Sequence, residues 1–294
     1  MVIDRKKLKK LFIKKKNIYL FLKKKTNLKN RIITKLSYDA QTGSYIKLHG
    51  KRNLSRILYP VINEIKKFKK IKTILDFGTG EMTSLVYMMK NLSNKIIFYA
   101  NDISLSRLIA GQKYIKKKLD KKRFKNLNIF CTNHFELPFK DNSIDLITTV
   151  QSIEPNNAYK KKLLSELIRV ARKGLVLMEP HYEIANNESK KRMVKFGYIK
   201  NFEKLIKSYN FPYLIIKKNY HYNSSNPNSI FVIIKKNRNN LNKKIVYVDP
   251  ESRTKLDRES NYYYSTKKFK LFPIIDNITV FASEFRMNYF HFKK

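Results

Sequence analysis

The feature that most narrows what this chain can fold into is one step from strand to turn. Thr73-Ile74-Leu75-Asp76-Phe77, a short apolar run, stops at Gly78, and Thr79-Gly80-Glu81 leads into a helical stretch that reaches about Leu92. Gly78 and Gly80 are two of only 7 glycines, and a missing Cβ at such a turn lets the backbone approach a ligand closely. A helix-like stretch Leu58 to Phe68 precedes the step, and the alternation continues after it. Apolar runs at Ile96 to Ala100, Leu127 to Cys131, Ile144 to Val150 and Leu175 to Met178 read as buried strands. Between them come a helix capped by Ser104 or Ser106 and a helix from about Ala158 to Arg172 stopped by Gly174. Buried strands alternating with helices imply right-handed crossovers and a parallel sheet covered on both faces. Beyond Pro180, a helical region over about Asn187 to Ser208 leads to the runs Tyr213 to Ile216 and Ile230 to Ile234, a hairpin closing the sheet edge.

Composition sets the limits. The 294 residues are 43% hydrophobic and 13% aromatic, which is globular composition, and they allow roughly two domains. A single Cys excludes an internal disulfide and a Cys-built zinc site, so no metal is expected and the default location is cytoplasmic. The longest early apolar run, Ile18 to Leu22, is far shorter than the roughly 20 residues of a bilayer span. The formal charge of +42, from 64 Lys and Arg against 22 Asp and Glu, invites a nucleic-acid partner. It is equally the mark of A/T-rich codons, which favour Lys, Asn, Ile, Tyr and Phe on solvated surfaces, and net charge does not set a fold.

Four regions follow. Residues 1–56 form a basic helical extension in which lysine runs between positions 5 and 25 interleave with Leu8, Leu11, Phe12, Ile18 and Leu22. Such a helix can lie on an anionic membrane, follow RNA, or pack its apolar stripe on the body of the protein. Residues 57–236 are the α/β domain, 237–244 a linker rich in Asn and Lys, and 245–294 a small β-rich appendage.

Asp102 stands at the end of the strand after the glycine turn, where a carboxylate accepts hydrogen bonds from both ribose hydroxyls of a bound nucleoside or caps the next helix. Further on comes Leu137-Pro138-Phe139-Lys140-Asp141-Asn142-Ser143-Ile144-Asp145, and then Glu166-Leu167-Ile168-Arg169-Val170-Ala171-Arg172-Lys173-Gly174 and Met178-Glu179-Pro180. With these in order, about Ile71 to Lys236 resembles the class I S-adenosylmethionine-dependent methyltransferases, in particular the branch that includes quinone-biosynthesis and many small-molecule and glycan methyltransferases. The resemblance implies a Rossmann-like, seven-stranded sheet with helices on both faces. It implies that Asp76 and the Gly78, Thr79 and Gly80 backbone hold the methionine portion of S-adenosylmethionine, that Asp102 holds the ribose, and that Ile103, Asn133 and His134 meet the adenine, with Gln151 close by. Met82 stands where many members have a third glycine, and Asn133 where they usually have Asp. A nicotinamide dinucleotide needs a third glycine near Thr83, which is missing, and has no counterpart of the Leu137 to Asp145 run.

Methyl transfer from a sulfonium is an in-line displacement, for which a protein positions the acceptor, excludes water and removes a proton where needed. The strand ends therefore nominate His181 as general base and Glu154 as second choice, with Ser152 and Tyr182 toward substrate. Tyr38 and Tyr45 bracket a segment similar to the N-terminal lid of such enzymes. The runs Tyr247 to Pro250, Tyr262 to Ser265 and Leu271 to Ile278 resemble a small zinc-ribbon-like partner domain without its cysteines. The expected activity is methylation of a small-molecule, lipid-linked or glycan acceptor. Methylation of RNA or protein, and an inactive binding scaffold, are the alternatives, and the sequence is silent on oligomeric state.

Overall fold

The structure is a computed structural model that describes residues 5–14, 16–49, 54–133, 135–154, 156–216, 226–235, 245–265, 267–285 and 287–288. His134 and the 237–244 linker lie outside the described residues.

Five helices come first: α1 Arg5–Ile13, α2 Ile18–Lys25, α3 Asn30–Ala40, α4 Ser44–His49 and α5 Ser55–Lys67. Leu8, Ile18, Leu22 and Ile33 are buried together, with Leu11, Phe12, Phe21 and Leu28 packed on them. The apolar stripe of α1 and α2 is thus spent against α3, while Lys6, Lys7, Lys9, Lys10 and Lys23 to Lys25 stay exposed. Among the described residues no helix is long and apolar enough to cross a membrane.

The alternating unit follows as β1 Thr73–Phe77, α6 Thr83–Asn91, β2 Ile97–Asp102, α7 Leu105–Lys116, α8 Lys121–Lys125, β3 Leu127–Cys131, β4 Ile144–Val150, α9 Lys160–Val170 and β5 Ala171–Pro180. All five residues of β1 are buried, as expected for a strand with helices on both faces. Ser104 is the N-cap of α7, its Oγ accepting from Arg107 N at 3.3 Å. The helix expected to run on to Arg172 ends at Val170 instead, because Ala171 already pairs with Ile144 of β4. Gly174 therefore sits inside a strand and stops nothing.

The remainder comprises α10 Asn187–Lys195, α11 Phe202–Lys207, β6 Tyr213–Ile216, β7 Asn228–Ile234, β8 Asp257–Arg258, β9 Tyr262–Ser265, β10 Lys270–Ile275, β11 Ile278–Val280 and β12 Met287–Asn288. The single helical region expected over 187–208 is two helices, with Gly197 in the left-handed region (φ 69°) at the break. The hairpin is present: β6 and β7 are antiparallel, and β7 lies antiparallel on β5.

The seven-stranded expectation needs correction. The strand order is β6-β7-β5-β4-β1-β2-β3-β11-β10-β9-β8, with β12 on β10, in one mixed sheet. The step beyond β3 is a parallel pairing of β11, Thr279 opposite Phe130 and Val280 opposite Cys131, continued by Phe281 N to Cys131 O at 2.7 Å. The β-rich appendage is therefore an extension of the main sheet. Tyr247 fixes it from one face, its ring 5.0 Å from Phe281, 5.6 Å from Phe139 and 5.9 Å from Phe130.

Candidate active site

Strand order reverses on either side of β1, so the chain leaves β1 and β4 in opposite directions and a crevice opens beyond their carboxyl ends. The glycine turn forms its floor. Gly78 and Gly80 have φ of 67° and 56°, and a Cβ would lie 2.4 Å from Ser152 Cβ at the first and 2.3 Å from Arg107 Nη2 at the second. Thr79 N donates to Asn101 O at 2.8 Å and Gly80 N to Asp102 Oδ2 at 3.0 Å, which ties the turn to the end of β2. Met82, where a third glycine was missed, is left-handed at φ 60° and its side chain is fully buried in the core. The backbone there keeps the shape that glycine favours, and core packing holds it against a strain of roughly 1–2 kcal/mol.

The cleft encloses about 960 Å³ including its open mouth, and Tyr38, Tyr45, Thr79, Glu81, Asp102, Arg107, Gln151, Ser152, Glu154, Arg192, Tyr198 and Asn226 line it together with the two glycines. Asp102 does two jobs: it receives Gly80 N on one oxygen and Ser104 N, at 2.9 Å, on the other, and each oxygen keeps a further lone pair. Asp76 lies below the floor, bonded by Thr148 Oγ1 at 3.2 Å, and burial pushes its carboxyl up to about 7. Gln151, at φ 52°, is held by an Nε2 to Asn228 Oδ1 bond of 3.0 Å.

The far wall is acidic, with Glu154 half-buried and Glu179 buried. Glu154 accepts from the Tyr198 hydroxyl at 2.9 Å, and burial raises its carboxyl to about 7 against the opposing effect of that bond. Behind it Glu179, raised by burial to about 8, accepts from Ser152 N and Ile153 N at 3.1 and 3.4 Å. Arg192 donates to Asn226 at the mouth.

His181 is not in the cleft. Its Nδ1 meets Ser229 Oγ at 2.8 Å, its Nε2 faces Glu183 at 3.3 Å and its ring packs 5.2 Å from Phe231, so strand β7 covers it as a core residue. The cause is the antiparallel placement of β7 on β5, which puts Ser229 opposite Glu179. Tyr182 also stands away from the cleft, under Lys190 and Lys200 at 5.8 and 5.6 Å. Ile103 and Asn133 line a neighbouring hollow of about 970 Å³ with Phe135, Tyr159 and Arg31.

Tyr38 and Tyr45 come from α3 and the short α4. The Glu81 carboxylate accepts from Gly43 N and Ile46 N, both at 2.8 Å, and Asp39 accepts from Ser104 Oγ and Ser106 Oγ at 2.5 and 2.7 Å. These bonds hold α3 and α4 across the turn. The role of Glu81 is not readable from the glycine motif that contains it, because its partners lie 35 and 38 residues away. Arg107, Arg192 and Tyr198 carry no local signal either.

The run that resembles the family so closely proves largely structural. Asp145 accepts from Lys72 N and Thr73 N at 2.8 and 3.1 Å and from Arg172 at 2.6 Å, pinning the start of β1. Glu166 accepts from Leu137 N at 2.6 Å and pairs with Arg169, which also reaches Asp141 at 2.7 Å.

Residues 75–178 match the family model described as a methyltransferase domain. The chain is an S-adenosylmethionine-dependent methyltransferase. No curated protein matches it. Solved structures similar to this methyltransferase include phosphoethanolamine N-methyltransferase 2 of Haemonchus contortus in complex with S-adenosyl-L-methionine, at 15% identity over 67% of this chain and 57% of that one, TM-score 0.52. A methyltransferase of Haloferax volcanii solved with the Trm112 methyltransferase activator has 11% identity over 67% and 96%, TM-score 0.50. An O-methyltransferase family protein from Burkholderia thailandensis has 10% over 69% and 61%, TM-score 0.50. At these identities the likeness speaks for the fold. The residues of the methyltransferase fit the cofactor: the glycine cradle leaves no Cβ, Asp102 offers lone pairs at the β2 end, and the buried Arg107 Nε has no partner.

Proposed function

We propose that the enzyme methylates a hydroxyl or amine of a small-molecule, lipid-linked or glycan acceptor enclosed beneath α3 and α4, with Glu154 as the proton acceptor. One observation carries this reading: Glu154 lines the same cleft as the glycine turn and has a carboxyl near 7, the value suited to a base at neutral pH. S-adenosylmethionine supplies, when bound, a methyl already activated on a positive sulfur. The chain's part is to place the acceptor, to keep water out and to take a proton. The Gly78, Thr79 and Gly80 backbone, with Asp76 beneath it and Gln151 in the same cleft, would hold the methionine end, Asp102 the ribose, and Ile103 and Asn133, from the neighbouring hollow, the adenine. Tyr38, Tyr45 and Ser152 would form the acceptor walls. In this reading His181 and Tyr182 stabilise the fold.

The appendage fits a built-in stabilising module, joined through β11 and the Tyr247 ring cluster. Methylation of RNA is a second reading with one feature in its favour: the lysines of α1 and α2 face outward while their apolar partners are consumed internally.

Calorimetry of S-adenosylmethionine against the wild type and Asp102→Ala tests the ribose assignment. Loss of charged hydrogen bonds should weaken binding by roughly 10- to 100-fold, and equal affinities would refute it. Labelled cofactor incubated with an extract lacking the enzyme, then separated into lipid, glycan, RNA and protein, reads the acceptor class directly. Label confined to RNA, and dependent on the lysines of residues 5–25, would displace the first reading.

A further inference from the structure

A guanidinium with a buried donor left over stands in the cleft. Arg107, on α7, is 6% exposed, and its buried Nε has no partner. The nearest carboxylate oxygens, of Glu81 and Asp102, stand 3.9 Å away, beyond hydrogen-bond length. The Tyr38 and Tyr45 rings lie 4.9 and 4.6 Å from Cζ, and the bare face of Gly80 abuts Nη2. An arginine carries five N–H donors in a rigid fork and cannot discard its charge. Ring faces and carboxylates at this distance stabilise the charge but leave the Nε donor without a partner. The group is thus built to receive a planar anion with two oxygens.

We propose that Arg107 receives the methionine carboxylate of S-adenosylmethionine and thereby sets the enzyme's preference for that cofactor. The inference rests on the cofactor assignment above. The carboxylate is the only anionic group of that molecule, it belongs to the end that the glycine turn is expected to hold, and Arg107 abuts the same turn. Two parallel N–H to oxygen bonds would satisfy the fork. Glu81 and Asp102, each 3.9 Å from the guanidinium, together outweigh its charge by one, so the arginine does not repel the sulfonium and ammonium of the same ligand.

The test is calorimetric and needs no turnover. S-adenosylmethionine and its decarboxylated analogue are titrated into the wild type and into Arg107→Gln. The wild type should prefer the carboxylated compound by roughly 10- to 100-fold, and Arg107→Gln should lose most of that preference by weakening the first compound alone. Equal affinities in the wild type overturn the proposal without any variant. So does an Arg107→Gln protein that weakens both compounds by one factor, or keeps the preference. Should Arg107→Gln fail to fold, Arg107→Lys, which keeps the charge and loses the fork, takes its place: a reduced preference supports the proposal and an unchanged one overturns it. A wild type that binds neither compound overturns the proposal together with the cofactor assignment, whereas binding without preference overturns the proposal alone.

Discussion

Glu154 and His181 lie at the ends of neighbouring strands, and their surroundings separate them. The imidazole is sealed between Ser229, Glu183 and Phe231, whereas the carboxylate lines the cleft with Tyr198. Glu154→Gln is therefore expected to lower kcat/KM by about 10²- to 10⁴-fold, the usual worth of a positioned base. The wild-type rate should rise as pH passes through about 7, where Glu154 loses its proton, and that rise should vanish in the variant while cofactor affinity holds. A variant with the same pH profile as the wild type would exclude Glu154. His181→Gln is expected to leave the profile in place and to lower Tm instead. Sequence spacing places both residues at strand ends and ranks the histidine first, on its titration near neutral pH and on a strand end taken to face the transferred methyl. Burial decided otherwise, and burial depends on β7, whose partner strand lies about 50 residues earlier in the chain.

At the scale of elements, α3 and α4 are latched to the sheet by two carboxylates. Glu81 satisfies two backbone amides at the start of α4, and Asp39 holds two hydroxyls at the start of α7. Glu81→Ala leaves those amides unpaired, a loss of about 1–3 kcal/mol. Hydrogen exchange over residues 41–48 should quicken in that variant, and cofactor dissociation should speed up with it. Unchanged exchange there would show that Asp39 alone carries the latch. The strands and helices of the α/β core were legible because buried parallel strands are continuous apolar runs bounded by turns: β1, β3 and β4 fall where the pattern puts them. The latch was not, since its bonds join residues whose pairing no local period records.

For the whole molecule, three carboxyls, two buried and one half-buried, set the response to pH. Asp76 and Glu154 near 7 and Glu179 near 8 lie above their ordinary values of 3.8 and 4.5, so the folded chain binds these protons more tightly than the unfolded chain does. Their contribution to stability is complete below about pH 4 and is lost as pH climbs through 7 to 8. Tm should accordingly fall between about pH 5 and pH 8, and a cationic cofactor beside Asp76 should release protons on binding, seen as a buffer-dependent heat. A Tm that climbs steadily over that range would contradict the sign. The appendage acts at the same scale: a chain ending at residue 235 would bare the β3 edge and the Phe130 face that Tyr247 and Phe281 cover. Such a chain should aggregate by light scattering, as uncovered strand edges do.

The pairing of Thr279 with Phe130 also fixes an order of events during synthesis. About 150 residues must be translated after β3 before its neighbour exists, which at ordinary ribosome speeds is a delay of roughly 8 to 30 seconds. Throughout that interval the nascent core carries an open flank, so its yield in the cell should depend on chaperone supply until the late strand arrives.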